Sequence, residues 1–102
     1  MAKLSIANLE SDSGRVSLQL ASADFLELEV LAQQICEFFS ARVIEKQWDA
    51  DLLTWLLDIE EERFFLRVEY YSESIWLEAV YPQQANETLA FICSLVQRYG
   101  SD

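Results

Sequence analysis

The chain has 102 residues, of which 52% are hydrophobic and 13% aromatic. That composition excludes a disordered chain and is enough for one compact domain, residues 1–102, with a core of its own. Eighteen Asp and Glu against seven Lys and Arg leave a net charge of −11. A protein that holds DNA through its backbone neutralises roughly 6–10 phosphates from one surface. Here Lys3, Arg15, Arg42, Lys46, Arg63, Arg67 and Arg98 would all have to converge against that excess of carboxylate. Direct nucleic-acid binding and docking on an anionic membrane are therefore disfavoured as functions.

The start, Met1-Ala-Lys-Leu-Ser-Ile-Ala-Asn, has no continuous apolar run and does not read as a signal peptide. No stretch approaches the about 18 apolar residues that a membrane span needs. Residues 3–9 alternate weakly through Leu4 and Ile6 and read as a first strand. Glu10-Ser-Asp-Ser-Gly14 is a turn in which Gly14 is free to take positive φ. Arg15-Val-Ser-Leu-Gln-Leu20 alternates cleanly, with Val16, Leu18 and Leu20 on one face, so the pair reads as a hairpin.

A helix is expected from Phe25 to about Ala41, with Asp24 as its cap and Glu27 as the acid of a capping box. Leu28, Leu31, Ile35 and Phe38 recur at helical spacing and make one apolar stripe, widened by Ala32 and Phe39. Arg42-Val-Ile-Glu-Lys-Gln-Trp48 returns to a short period, and Asp49-Ala-Asp51 breaks it.

Leu53 to Tyr81 then reads as three strands of an antiparallel meander. The core-facing sets are Leu53, Trp55, Leu57 and Ile59; Phe64, Leu66, Val68 and Tyr70; and Ile75, Leu77, Ala79 and Tyr81. The other face carries Thr54, Leu56 and Asp58; Phe65, Arg67, Glu69 and Tyr71; and Trp76, Glu78 and Val80. Placing Val68 opposite Leu77 sets Arg67 opposite Glu78, a favourable cross-strand pair. The same rule puts Ile59 opposite Phe64 and leaves Glu61-Glu62 as a two-residue turn. Two glutamates are poor residues for a turn that wants positive φ, so a looser or bulged connection is expected. Pro82 opens a closing helix striped by Ala85, Leu89, Ile92, Val96 and Tyr99, with Gly100 placed to end it.

The order β-β-α-β-β-β-β-α predicts an α+β two-layer sandwich: two helices on one face of a mainly antiparallel sheet of five to six strands. The first helix connects strands able to run parallel through a crossover.

The absence of histidine removes Ser-His and Cys-His catalytic pairs and histidine-containing zinc sites. Cys36 and Cys93, 57 positions apart, form no CxxC motif and read as buried thiols in a reducing, cytoplasmic compartment. The two glycines cannot supply a phosphate-binding glycine loop. Asp49, Asp51 and Glu60 fall at positions 1, 3 and 12 of a calcium loop, but Leu53 takes a ligand position and Thr54 stands where glycine is needed. No metal or cofactor is expected, and no enzymatic activity.

Two surfaces remain as candidates. Asp58, Glu60, Glu61 and Glu62 form an acidic tip, read first as an exposed hairpin end and second as a site for a basic partner. Leu56, Phe65, Arg67, Glu69, Tyr71, Trp76 and Glu78 lie on the sheet face that no helix covers. Aromatics and arginine among charges match the composition of protein–protein interfaces; the plain alternative is a solvated sheet stabilised by cross-strand pairs. The leading expectation is an interaction module that binds a protein partner or a second copy of itself. The alternatives are an acidic antagonist of a basic protein, of the immunity or nucleic-acid-mimic kind, and then a small-ligand domain or enzyme.

Overall fold

A computed structural model describes residues 3–100; residues 1–2, part of the stretch weighed as a signal peptide, and 101–102 lie outside it. Six strands form one antiparallel sheet: β1 (Leu4–Glu10), β2 (Arg15–Leu20), β3 (Arg42–Asp49), β4 (Leu52–Ile59), β5 (Glu62–Glu69) and β6 (Ser74–Ala79). Their order across the sheet is β1-β2-β6-β5-β4-β3, and all five pairings are antiparallel. Helix α1 (Leu28–Phe39) joins β2 to β3. Those two strands run in opposite or like sense according to the number of antiparallel steps between them; four steps separate them, so they run in the same direction, with three other strands in between. After β6 come a short 3-10 turn (Pro82–Gln84), α2 (Asn86–Leu95) and a π turn (Val96–Gly100).

Alternation fixes the faces. Val16 and Leu18 on β2, Leu53 to Ile59 at odd positions on β4, Phe64, Leu66 and Val68 on β5, and Ile75, Leu77 and Ala79 on β6 are all buried. They share one core with Leu28, Leu31, Ala32, Ile35, Cys36 and Phe39 of α1, with Leu89 and Ile92 of α2, and with Ala85 and Val96 beside it. Trp55 is the largest side chain in that core, and Lys46 of the edge strand lies with its ammonium 4.4 Å from the ring centroid. The sheet thus has an apolar side, whose residues share a core with both helices, and a mixed side.

Several expected details are corrected. Tyr70 and Tyr81 follow the core face in sequence but lie beyond their strands, where the chain turns, and are 38% and 52% exposed. The β5–β6 register is displaced by two residues: Val68 faces Ile75, Leu66 faces Leu77, and Arg67 faces Trp76. A two-residue shift preserves every face, so the side-chain pattern cannot detect it. The four-residue turn Tyr70–Glu73 sets the register instead.

The β4–β5 connection is tight rather than bulged. Ile59 pairs with Glu62 and Asp58 with Arg63, leaving Glu60-Glu61 as a two-residue turn. Both residues have positive φ, 53° and 69°, as a type I′ turn requires. The side chain of Asp58 offsets part of this strain by accepting a hydrogen bond from the Glu61 N–H at 2.9 Å.

Helix α1 starts three residues later than expected. Asp24 accepts the Leu26 N–H at 3.0 Å and the turn Asp24–Glu27 closes on itself, so Asp24 organises the turn before the helix and no capping box forms. Tyr99 is 63% exposed, not part of the buried stripe. The π turn has a wider repeat than an α-helix, so Gly100, not Tyr99, follows Val96 onto the buried side. There a Cβ would stand 2.3 Å from the Leu4 carbonyl oxygen, which is why glycine occupies the position.

Candidate interaction surface

The outward face of the sheet is built by the positions that alternate with the core. On β4 these are Leu56 and Asp58, on β5 Arg63, Phe65, Arg67 and Glu69, and on β6 Trp76 and Glu78. The β2–β6 pairing adds Arg15, opposite Glu78, and Ser17, opposite Trp76. In this register Phe65 lies opposite Glu78 and Arg67 opposite Trp76. The expected Arg67–Glu78 partnership survives as a diagonal: Arg67 Nε lies 3.4 Å from Glu78 Oε1.

The aromatic rings on this face are half-buried because arginines lie on them. The Arg15 guanidinium carbon sits 4.6 Å from the Trp76 ring centroid, and that of Arg67 sits 5.1 Å from Phe65. Each such contact is worth roughly 0.5–1 kcal/mol on a partly exposed surface. The arginine stems also cover apolar area that a bare sheet would leave wet. Two donors at the centre of the face are unpartnered: Arg67 Nε and Trp76 Nε1 are shielded from solvent and make no hydrogen bond. The Arg67–Glu78 contact is an ion pair that lacks hydrogen-bond alignment.

Charge is segregated between the two sides. Arg15, Arg42, Arg63 and Arg67 stand on the outward face with six carboxylates, Glu10, Glu45, Asp49, Asp58, Glu69 and Glu78. The rest of the chain is left with three cations against twelve carboxylates, so the outward face is the least acidic broad surface.

The other predicted residues divide. Tyr71 is not on this face: it lies in the β5–β6 turn, 78% exposed, with its ring edge-to-face against Tyr70 at 5.2 Å. Glu69 accepts the Ser72 hydroxyl at 2.5 Å and helps shape that turn. Of the acidic tip, Glu60 and Glu61 are exposed in the tight turn, whereas Glu62 opens β5 and is half-buried. Asp58 is engaged, 3.4 Å from Arg42 across the β3–β4 pair and opposite Arg63. The tip and the face meet in one shallow groove of about 350 Å³, lined by Leu56, Glu61, Glu62, Arg63, Phe65 and Val80, among others.

Asp49 and Asp51 lie at one end of β4 and Glu60 at the other, so the strand separates the three carboxylates and no calcium loop forms. Cys36 is buried, and burial pushes its thiol up to about 11; burial also raises Cys93, which is half-buried, and neither is in a disulfide. A raised thiol is the opposite of what a nucleophilic cysteine needs. No helix among the described residues is long and apolar enough to cross a membrane.

Alternation along β2 sets Arg15 on the face opposite Val16, but the sequence does not say what it meets there. Its place beside Trp76 depends on the pairing of β2 with β6, which are more than fifty residues apart. No curated protein and no solved structure matches the chain. A family model does match, over residues 4–97, which takes in all six strands and both α-helices. The chain therefore belongs to the family described as protein of unknown function DUF3630.

Proposed function

We propose that this chain is a non-catalytic protein–protein interaction module whose working surface is the outward face of the sheet, around Phe65, Arg67 and Trp76. The reading includes a two-layer arrangement, with helices on one side only. The shortest dimension of the molecule, 22 Å, suits one helix layer on one sheet layer. Nothing in the fold then covers the outward side.

The observation that carries the proposal is Trp76 Nε1, a shielded donor with no acceptor at the middle of that face, opposite Arg67, whose Nε meets Glu78 only as an ion pair without hydrogen-bond alignment. A buried donor without an acceptor costs about 1–3 kcal/mol. An acceptor brought by a partner protein, or by a second copy of this chain, would recover that cost once the arginine stems shift aside. Trp and Arg at the centre of a patch with a charged rim are also the residues that dominate binding energy in interfaces.

The test compares wild type with Trp76→Phe and Arg67→Ala. Trp76→Phe keeps a ring under Arg15 but removes the idle donor, so the isolated chain retains or gains stability in urea. Self-association by sedimentation, or retention of a captured partner, falls with both variants. If neither substitution changes association while the wild type does associate, the face is a solvated sheet and the working surface lies elsewhere.

The acidic-antagonist reading draws less support from the tip than its charge implies. Asp58 is held by Arg42 and by the Glu61 N–H, which leaves Glu60 and Glu61 as its freely exposed carboxylates.

A further inference from the structure

We propose that the end of the sheet where residues 23–30 meet the Tyr70–Glu73 turn is a second docking surface, for a protein segment that presents an apolar side chain flanked by Arg or Lys. The outward face plays no part in it, and the proposal stands whether or not that face binds a partner.

Large apolar side chains stand exposed at this end of the sheet. Leu26 is 77% exposed, Tyr71 78% and Val30 52%. Leu26, Tyr70 and Tyr71 are three of the nine large apolar side chains exposed among the described residues, and they line one groove. Large exposed side chains scattered singly are ordinary, whereas a cluster at one place marks contact with another molecule. Asp24, Phe25, Leu26, Tyr70, Tyr71 and Glu73 line a groove there of about 460 Å³.

Both walls of that groove are braced. Asp24 accepts the Leu26 N–H, and Glu27 N–H donates to the Asp24 carbonyl at 3.0 Å. Across the groove, Tyr70 N–H donates to the Asp51 carbonyl at 3.0 Å and Glu73 N–H to the Tyr70 carbonyl at 3.3 Å. The Tyr70 and Tyr71 rings hold each other edge-to-face. A preformed site loses less entropy on binding.

Charge chooses the occupant. Asp24 and Glu73 line the groove, Asp51 is tied to Tyr70 through its backbone carbonyl, and residues 23–30 and 69–73 contain no Lys or Arg. The two ion pairs of the described residues, Arg42–Asp58 and Arg67–Glu78, both lie on the outward face and neutralise none of these carboxylates. The cation bordering this end is Lys3, in the adjoining groove on the far side of Glu73. An acidic segment or an anionic lipid surface would be repelled. A basic segment would place its apolar residue against Leu26 and Tyr71, with its cations among the carboxylates and over the tyrosine rings.

The experiment is a titration of the isotope-labelled chain, followed by amide chemical shifts. The probe is a synthetic amphipathic helix of Leu and Arg; an Arg-only peptide and a Leu/Glu helix are the controls. The Leu/Arg helix should perturb residues 23–30 and 70–73 before any others, the Arg-only peptide should bind at least about tenfold more weakly, and the Leu/Glu helix should not bind. Leu26→Ser with Tyr71→Ser should weaken the Leu/Arg helix by about tenfold or more. Both side chains are exposed, and a circular-dichroism melt will check that the double variant stays folded. Glu73→Lys should weaken binding as well, and raised salt should do so progressively. Shifts spread evenly over the acidic surface, equal affinity for the Arg-only peptide, an unaffected double variant, or no saturable binding would each overturn the proposal.

Discussion

Glu60 and Glu61 carry the most unusual local conformation in the chain. Two adjacent glutamates hold φ of 53° and 69°, where side chains with a Cβ cost roughly 1–2 kcal/mol each. The double substitution Glu60→Asn with Glu61→Gly relieves that strain and leaves the hydrogen bond from the backbone N–H of position 61 to Asp58 intact. The double variant should raise the unfolding free energy by about 1–2 kcal/mol, measured by urea denaturation with an unchanged slope. Gly14 is the converse. Its φ is 68°, and an added Cβ would stand 2.7 Å from the Ala79 Cβ, so Gly14→Ala should cost about 2–4 kcal/mol in the same measurement. Cys36 gives a pH dependence. Burial raises its thiol from 9.0 to about 11, so the folded chain keeps a proton that the unfolded chain releases. Its contribution is complete below pH 9 and is lost as pH climbs through 9 to 11, in all about 2–3 kcal/mol. Cys36→Ala should show a shallower alkaline decline than wild type, with the tyrosines and lysines common to both cancelling in the comparison.

Among the elements, β3 shows how an edge strand is kept from pairing with another chain. It is an edge of the sheet, its pairing with β4 is interrupted by a bulge between Val43 and Glu45, and Lys46 points to the helix side over Trp55. A bulge and an inward lysine are both known guards of exposed edges. Lys46→Val should therefore increase light scattering with concentration relative to wild type, while Lys46→Arg should not. Period-two alternation identified the core residues of β2, β4, β5 and β6, because one face of each must leave water. It could not separate registers differing by two residues, since both bury Leu66, Val68 and Leu77. Turn chemistry pointed to a looser connection after β4, whereas the chain closes at Glu60-Glu61 with both residues at positive φ and the Glu61 N–H bonded to the Asp58 side chain. The outward-face positions Leu56, Phe65, Arg67, Trp76 and Glu78 followed from alternation alone. The contact of Arg15 with Trp76 and the Leu26–Tyr71 cluster did not, because each depends on segments distant in sequence being brought together by the closing of β2 on β6.

For the molecule as a whole, the distribution of charge matters more than its total. A net charge of −11 on 102 residues opposes compaction through self-repulsion. The outward face is nearly balanced, so most of the excess negative charge lies elsewhere on the molecule, and Asp24 and Glu73, which line one groove, form no ion pair. Added salt should then stabilise the fold, because it screens unpaired like charges more than it weakens two partly shielded pairs, with a net gain on the order of 1 kcal/mol. Asp24→Asn with Glu73→Gln should raise stability at low salt and reduce that salt gain. Asp58→Ala should do the reverse, losing about 1–2 kcal/mol, because it removes both the Arg42 contact and the acceptor for the Glu61 N–H. The three can be separated by urea midpoints at low and high sodium chloride. A wild type that loses stability as salt rises would mean that its few arginine pairs outweigh the crowded carboxylates, and the acidic end would then lose the electrostatic reason to attract a basic segment.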